Sequence, residues 1–203
     1  MKKIPTLFKR VFDGHEIVET TPQVIRGMEW VLRGEGYATV KMDGACCAII
    51  DGKFYKRYDA KQGKTPPAGA IPCCPPDPVT GHHPHWVLVD EKNPGDRWFL
   101  AAYKNSVALA DGTYEAIGRH FQSNPYHMND DMLEPHGVRI ISGLERSYDG
   151  IKQYLQDHNV EGIVFWKDDQ PRCKIKRSDF GLKWNTKKQQ WYDEKGQTNG
   201  NRE

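Results

Sequence analysis

The sequence predicts an α+β fold built from antiparallel β-sheets flanked by helices. Three observations point there. Strand-like runs outnumber helix-like ones, two pairs of runs are closed by short turns, and no regular strand–helix alternation signals a parallel sheet.

Taken in order, Thr21-Pro22 reads as an N-cap followed by proline at the first helical position. Val24, Ile25, Met28, Val31 and Leu32 then recur at helical spacing until Gly34, so a helix is expected. Residues 37–40 begin a strand that leads into Lys41. The next two runs meet at Asp51-Gly52, a two-residue hairpin turn. That turn makes Ile50 face Lys53, Ile49 face Phe54 and, by extension, Cys46 face Arg57. Residues 71–81 carry prolines too densely for a helix or a central strand. Residues 86–90 and 98–103 read as two strands joined by a turn through Asn93-Pro94-Gly95. A second helix is expected at about 147–158, with Tyr148, Ile151, Tyr154 and Leu155 on one side. "VEGIVFW" follows as a strand, "KDDQ" as a turn and "RCKIKR" as the partner strand. Residues 1–185 are expected to form the domain, and the polar, Lys/Gln/Gly-rich residues 186–203 a flexible basic tail.

Composition narrows the class. The chain has 203 residues, enough for one sizeable core or at most two small ones. Its formal net charge of +2 announces no nucleic-acid binder, although a local basic groove remains open. Six tryptophans, nine tyrosines and seven phenylalanines argue against disorder. The sequence has no long apolar run to span a membrane and no signal-peptide core after Met1, so no membrane partner is expected. Five cysteines, four of them in adjacent pairs, do not resemble a disulfide framework and suit a reducing, cytoplasmic setting. Cys73, Cys74, His82, His83 and His85 offer metal donors, but adjacent ligands chelate one ion poorly. The stretch is read as a loop between strands.

The two hairpins concentrate the chemistry. The first returns Arg57 toward Lys41, on the same face as Gly44. Paired cations oppose one another unless a phosphate lies between them. In the second, Trp166 facing Pro171 sets Ile163 against Lys174 and Glu161 against Lys176. A carboxylate and two lysines then share a face, as suits a polyphosphate with its divalent metal. A one-residue slip would scatter that cluster.

The ordered set is Lys41-x-Asp43-Gly44, Arg57, Glu115 in "TYEAIG", Glu161-Gly162-Ile163-Val164 and Lys174-x-Lys176. It resembles the covalent nucleotidyltransferase superfamily of polynucleotide ligases and mRNA capping enzymes. "KMDGACC", "GHHPHWVLVDEKN", "YEAIG", "NPY", "EPHG", "VEGIVFW" and "GLKW" are more specifically similar to the ATP-dependent 5′-to-3′ RNA ligase family found in vertebrates. The resemblance implies a nucleotidyltransferase (adenylation) domain and, for this length, no OB domain. It implies ATP and Mg2+ or Mn2+ as cofactors, RNA with 5′-phosphate and 3′-hydroxyl ends as substrate, and a role in RNA repair. By the same resemblance Lys41 is the nucleophile that takes AMP, helped by Lys174 and Lys176, and Glu161 holds the metal. Asp43 and Gly44 shape the nucleophile's loop, Arg57 contacts ribose or phosphate, and Glu115 is the ribose or nucleoside-pocket carboxylate. Phe165, with Phe121 and Tyr126, is a candidate for the adenine. Arg119, His120 and Lys152 are candidate RNA contacts. Asn124 and His136 receive no chemical role. Small DNA ligases, GTP-using capping enzymes and a non-catalytic nucleic-acid-binding module are the alternative readings.

Overall fold

A computed structural model describes residues 3–14, 16–78 and 80–184; the tail expected at 186–203 lies outside the described residues. The strands are β1 (Phe8–Asp13), β2 (Glu16–Val24), β3 (Tyr37–Lys41), β4 (Ala45–Ile50), β5 (Lys53–Ala60), β6 (Ile71–Pro72), β7 (His83–Leu88), β8 (Gly112–Ile117), β9 (Met132–Pro135), β10 (Gly162–Lys167) and β11 (Gln170–Lys176). The helices are α1 (Arg97–Asn105) and α2 (Tyr148–Asp157). Every pairing between these strands is antiparallel. The α+β class expected from the sequence is the one observed. The chain divides into two compact units: Asp43–His136 forms the first, and Ile4–Met42 with the described residues from Gly137 onward forms the second.

The first unit is a six-stranded sheet in the order β6-β7-β5-β4-β8-β9. Asp51 and Gly52 sit at φ +50° and +69°, the left-handed pair of a tight hairpin turn. Ile50 faces Lys53 and Ile49 faces Phe54, as the turn residues require. The Asp111 carboxylate caps the turn by accepting from the Asp51 and Gly52 amides at 2.8 and 3.0 Å. Cys47, Ile49, Phe54, Tyr114, Ala116 and Leu133 make the buried face, which α1 covers with Trp98, Phe99, Ala102 and Tyr103.

The strand expected at 98–103 is therefore a helix. Pro94 opens a short 3-10 turn (Pro94–Asp96) that runs into α1, and the Asn93 side chain caps it by accepting from the Gly95 amide. The run Trp98–Tyr103 is nearly all apolar, so its period is illegible. Only the sheet face waiting for residues 98, 99, 102 and 103 selects the helix.

The second unit carries the β1–β2 hairpin and a three-stranded sheet in the order β11-β10-β3. Leu7, Phe8, Trp30, Val31, Ala38, Ile163, Phe165, Cys173 and Ile175 pack with Ile151 and Leu155 of α2. Ser147 caps that expected helix by accepting from the Gly150 amide.

The helix expected after Thr21-Pro22 does not form. Pro22 falls within β2, inside a register irregularity where Thr20 pairs Arg10 and Val24 pairs Phe8. Proline is tolerated there because a ladder donor is not needed at a bulge. Beyond it, Met28, Val31 and Gly34 donate to the carbonyls of Ile25, Met28 and Val31, giving successive three-residue turns. These turns keep the i, i+3 spacing that mimics a helix, and Met28 and Val31 still reach the core. Gly27, at φ +87°, interrupts the run, and its amide binds the Glu29 carboxylate instead of a helical carbonyl.

Candidate active site

The second unit lines up three strands at one point. Lys41 of β3 pairs Gly162 of β10, which pairs Lys176 of β11. In the next row of the same parity, Thr39 pairs Val164 and Val164 pairs Lys174. Directly opposed residues and residues two apart share a face, so Lys41, Lys174 and Lys176 project to one side. Gly162 lies between two of them, and a Cβ there would come within 2.3 Å of the Ile175 carbonyl oxygen.

This register differs from the one expected. Trp166 faces Pro171, but Phe165 already faces Cys173, so a bulge at Arg172 moves the ladder by one residue. Ile163 therefore opposes Ile175 instead of Lys174, and Gly162 opposes Lys176 in place of Glu161. The bulge spares the cluster because Glu161 precedes β10 and reaches in from its end. Its Oε2 lies 2.5 Å from Lys41 Nζ, and its Oε1 lies 3.8 Å from Lys176 Nζ. The Glu161 carbonyl accepts from the Arg177 amide at 2.9 Å, which fixes the position. Lys41 Nζ also donates to the Met42 carbonyl at 3.3 Å.

Lys174 has the perturbed amine. Burial, with Lys41 and Lys176 adding repulsion, lowers its pKa from 10.5 to about 8. Its backbone is held at both ends: Lys174 N–H donates to the Pro5 carbonyl, and Leu7 N–H donates to the Lys174 carbonyl. The segment before β1 thus covers the free edge of β11.

The first unit gathers another set. Gly44 N–H donates to Glu115 Oε1 at 3.1 Å, and a Cβ on Gly44 would lie 2.2 Å from the Ala116 carbonyl oxygen. Glu115 Oε2 is 2.9 Å from His136 Nε2, whose Nδ1 is 3.0 Å from Thr113 Oγ1. Asp43 N–H donates to the Tyr126 hydroxyl. Arg57 is bound to Asp59, two residues along the same strand, with contacts of 3.1 and 3.2 Å. Cys46 pairs Glu115 across β4 and β8, and burial pushes its thiol up to about 12.

Several candidates resolve into structural roles. Phe165 has no exposed surface; it lies between Ala38 and Cys173 inside the core, so no face is open to a nucleotide. Phe121 and Tyr126 are buried as well. Asn124 closes its loop by exchanging hydrogen bonds with the Met128 backbone, both at 2.9 Å. The loop donors Cys73, Cys74, His82, His83 and His85 form no cluster of three ligands among the described residues. His120 stacks on Trp98 with ring centroids 3.4 Å apart and is oriented by the buried Asp131.

No family model matches the chain. The chain is similar to RNA ligase 1 of Danio rerio. The two are 31% identical over 137 residues, a match covering 51% of this chain and 42% of the relative. The chain thus spans less than half of that relative's length. The similarity supports a relationship to RNA ligases.

Two ionic features escaped the sequence reading. Asp96 is fully buried beneath an ion pair with Lys56, and it accepts from the Asp90 amide at 3.1 Å. His136 joins Glu115, a partnership hidden by a separation of 21 along the chain. The alternation of β8 and β9 is the one signal that hints at it. Among the described residues no helix is long and apolar enough to cross a membrane.

Proposed function

We propose that the chain is an ATP-dependent RNA ligase that joins 5′-phosphate to 3′-hydroxyl ends through a lysine–AMP intermediate on Lys41. The observation that carries this reading is the row Lys41–Gly162–Lys176, with Lys174 on the same face and Glu161 against the Lys41 amine. Three amines on one face around one carboxylate make poor sense as a stabilising device. They suit a polyphosphate whose charge must be neutralised while an amine attacks it.

In the first step Lys41 Nζ bonds to the α-phosphorus of ATP, and the bond to pyrophosphate breaks. Lys174 and Lys176 favour the neutral Lys41 amine, whose proton leaves to solvent as the attack proceeds. Lys174 and Lys176 offset the negative charge on the phosphoryl oxygens. An RNA 5′-phosphate oxygen then displaces Lys41 from the adenylyl phosphorus, and a proton returns to the departing amine. Finally an RNA 3′-hydroxyl attacks the activated 5′-phosphate and AMP leaves. Mg2+ or Mn2+ would supply charge stabilisation on the phosphates, and Glu161 is the hard oxygen donor that such an ion takes alongside them. Gly44, Asp43, Glu115 and Arg57 would serve the nucleoside and its phosphates. Exposed His120 on its Trp98 platform, with Arg119, would contact RNA.

The test is incubation with α-labelled ATP or GTP and Mg2+. Covalent labelling from ATP alone, absent in Lys41→Ala, is expected, followed by sealing of nicked RNA in preference to nicked DNA. Failure of both nucleotides to label the chain overturns the proposal.

A further inference from the structure

The residues around Glu115 offer chemistry beyond a contact to a nucleotide. Cys46 Sγ, a Glu115 carboxylate oxygen and a His136 ring nitrogen all lie within 4.8 Å of one another, and all three residues are partly exposed. They come from three separate places: β4, the middle of β8 and the residue after β9. The sheet register that pairs Cys46 with Glu115, together with the His136 amide donating to the Thr113 carbonyl at 3.0 Å, holds them together.

We infer that Cys46, Glu115 and His136 form a binding site for a thiophilic divalent cation of the zinc class. The donor set is one sulfur, one nitrogen and one oxygen, the combination such ions take with one position left open. Tetrahedral bond lengths to these donors put ligand atoms roughly 3.3–3.8 Å apart. The His136–Glu115 pair at 2.9 Å need only open slightly, and the Cys46 sulfur need only close in. In the metal-free arrangement His136 Nε2 and Glu115 Oε2 lie in hydrogen-bond contact, and a cation between them takes the place of that contact. Thr113 Oγ1, 3.0 Å from His136 Nδ1, is the outer partner that holds a ligating imidazole in place. The Gly44 amide steadies the other Glu115 oxygen.

Charge balance is workable. Binding exchanges the Cys46 thiol proton, released to solvent, for the metal, so a thiolate and a carboxylate face the dication, and the neighbouring Arg57 guanidinium is already matched by Asp59. Glu134 stands opposite Glu115 across β8 and β9. If Glu115 serves the nucleotide as proposed above, an ion in this site withdraws it. Zinc then slows self-labelling from ATP, and a chelator restores it.

The experiment titrates the reduced chain with Co2+ and, separately, dialyses it against Zn2+. The expected result is one equivalent bound with a thiolate-to-cobalt charge-transfer band. Cys46→Ser should lose that band, and His136→Gln should bind roughly tenfold or more weakly. His136→Gln also covers the case in which Cys46→Ser fails to fold. A Cys73→Ser, Cys74→Ser variant should bind as the parent does. Absence of the band, or its survival in Cys46→Ser, overturns the site. If Co2+ binds as expected but zinc leaves labelling from ATP unchanged, the site stands and the nucleotide role of Glu115 falls.

Discussion

Lys41 Nζ lies 2.5 Å from Glu161 Oε2, although 120 positions separate the two residues in the chain. Sheet pairing of Lys41 with Gly162 makes the meeting possible, because Glu161 is the residue immediately before that glycine. Glu161 also touches Lys176 and so balances more than one amine. Glu161→Gln keeps the shape and removes the charge. It is expected to lower self-labelling at least a hundredfold and to cost about 1.5–3 kcal/mol of stability, the range for a hydrogen bond to a charged group. Labelling at the parent rate would remove Glu161 from the chemistry.

Lys174 gives the protein a pH signature. Its folded pKa of about 8 lies below the 10.5 of the free side chain, with burial as the main cause. Between those values the unfolded chain binds more protons than the folded one, so stability rises with pH across that window. The penalty is fully present below pH 8. Lys174→Met keeps the stem and drops the charge. It should melt roughly 2–4 °C higher than the parent at pH 7 and lose that advantage as pH approaches 10.5. Its labelling should fall all the same, since a cation beside the phosphates is gone. A melting-point difference that stays constant over the whole range contradicts this account.

Gly162 sets the spacing of the row. A methyl group there would meet the Ile175 carbonyl at 2.3 Å, so β10 and β11 must part for Gly162→Ala to fold. Overpacking of this kind costs about 1–3 kcal/mol. The variant should melt lower and label poorly, because Lys176 moves with its strand. Chemical denaturation alongside the labelling assay reads both effects, and a variant unchanged in each would show that the spacing is not needed.

Phe165 separates core from pocket. As a fully buried ring it should tolerate Phe165→Leu with an unchanged KM for ATP, while Phe165→Ala costs about 3–5 kcal/mol. A KM that rises in the stable leucine variant would return the ring to the nucleotide site.

Much of this was readable along the chain, and what was not has a physical reason. The Asp51-Gly52 hairpin, the capped helix after Ser147 and the strand at Ile163 follow from local chemistry: left-handed turn residues, an N-cap and a β-branched run. The sequence by itself determined the antiparallel α+β class and the placement of Lys41, Glu161, Lys174 and Lys176 on or beside strands. Tertiary structure decided the rest. Residues 98–103 became a helix because a sheet face required one, and the helical spacing after Val24 became a chain of turns because Pro22 and Gly27 sit where they do. A bulge at Arg172 changed the register, a one-residue event that no periodicity reveals. The contacts of Glu161 with Lys41 and of His136 with Glu115 were likewise set by strand pairing, since a sheet brings together residues whose distance along the chain carries no information.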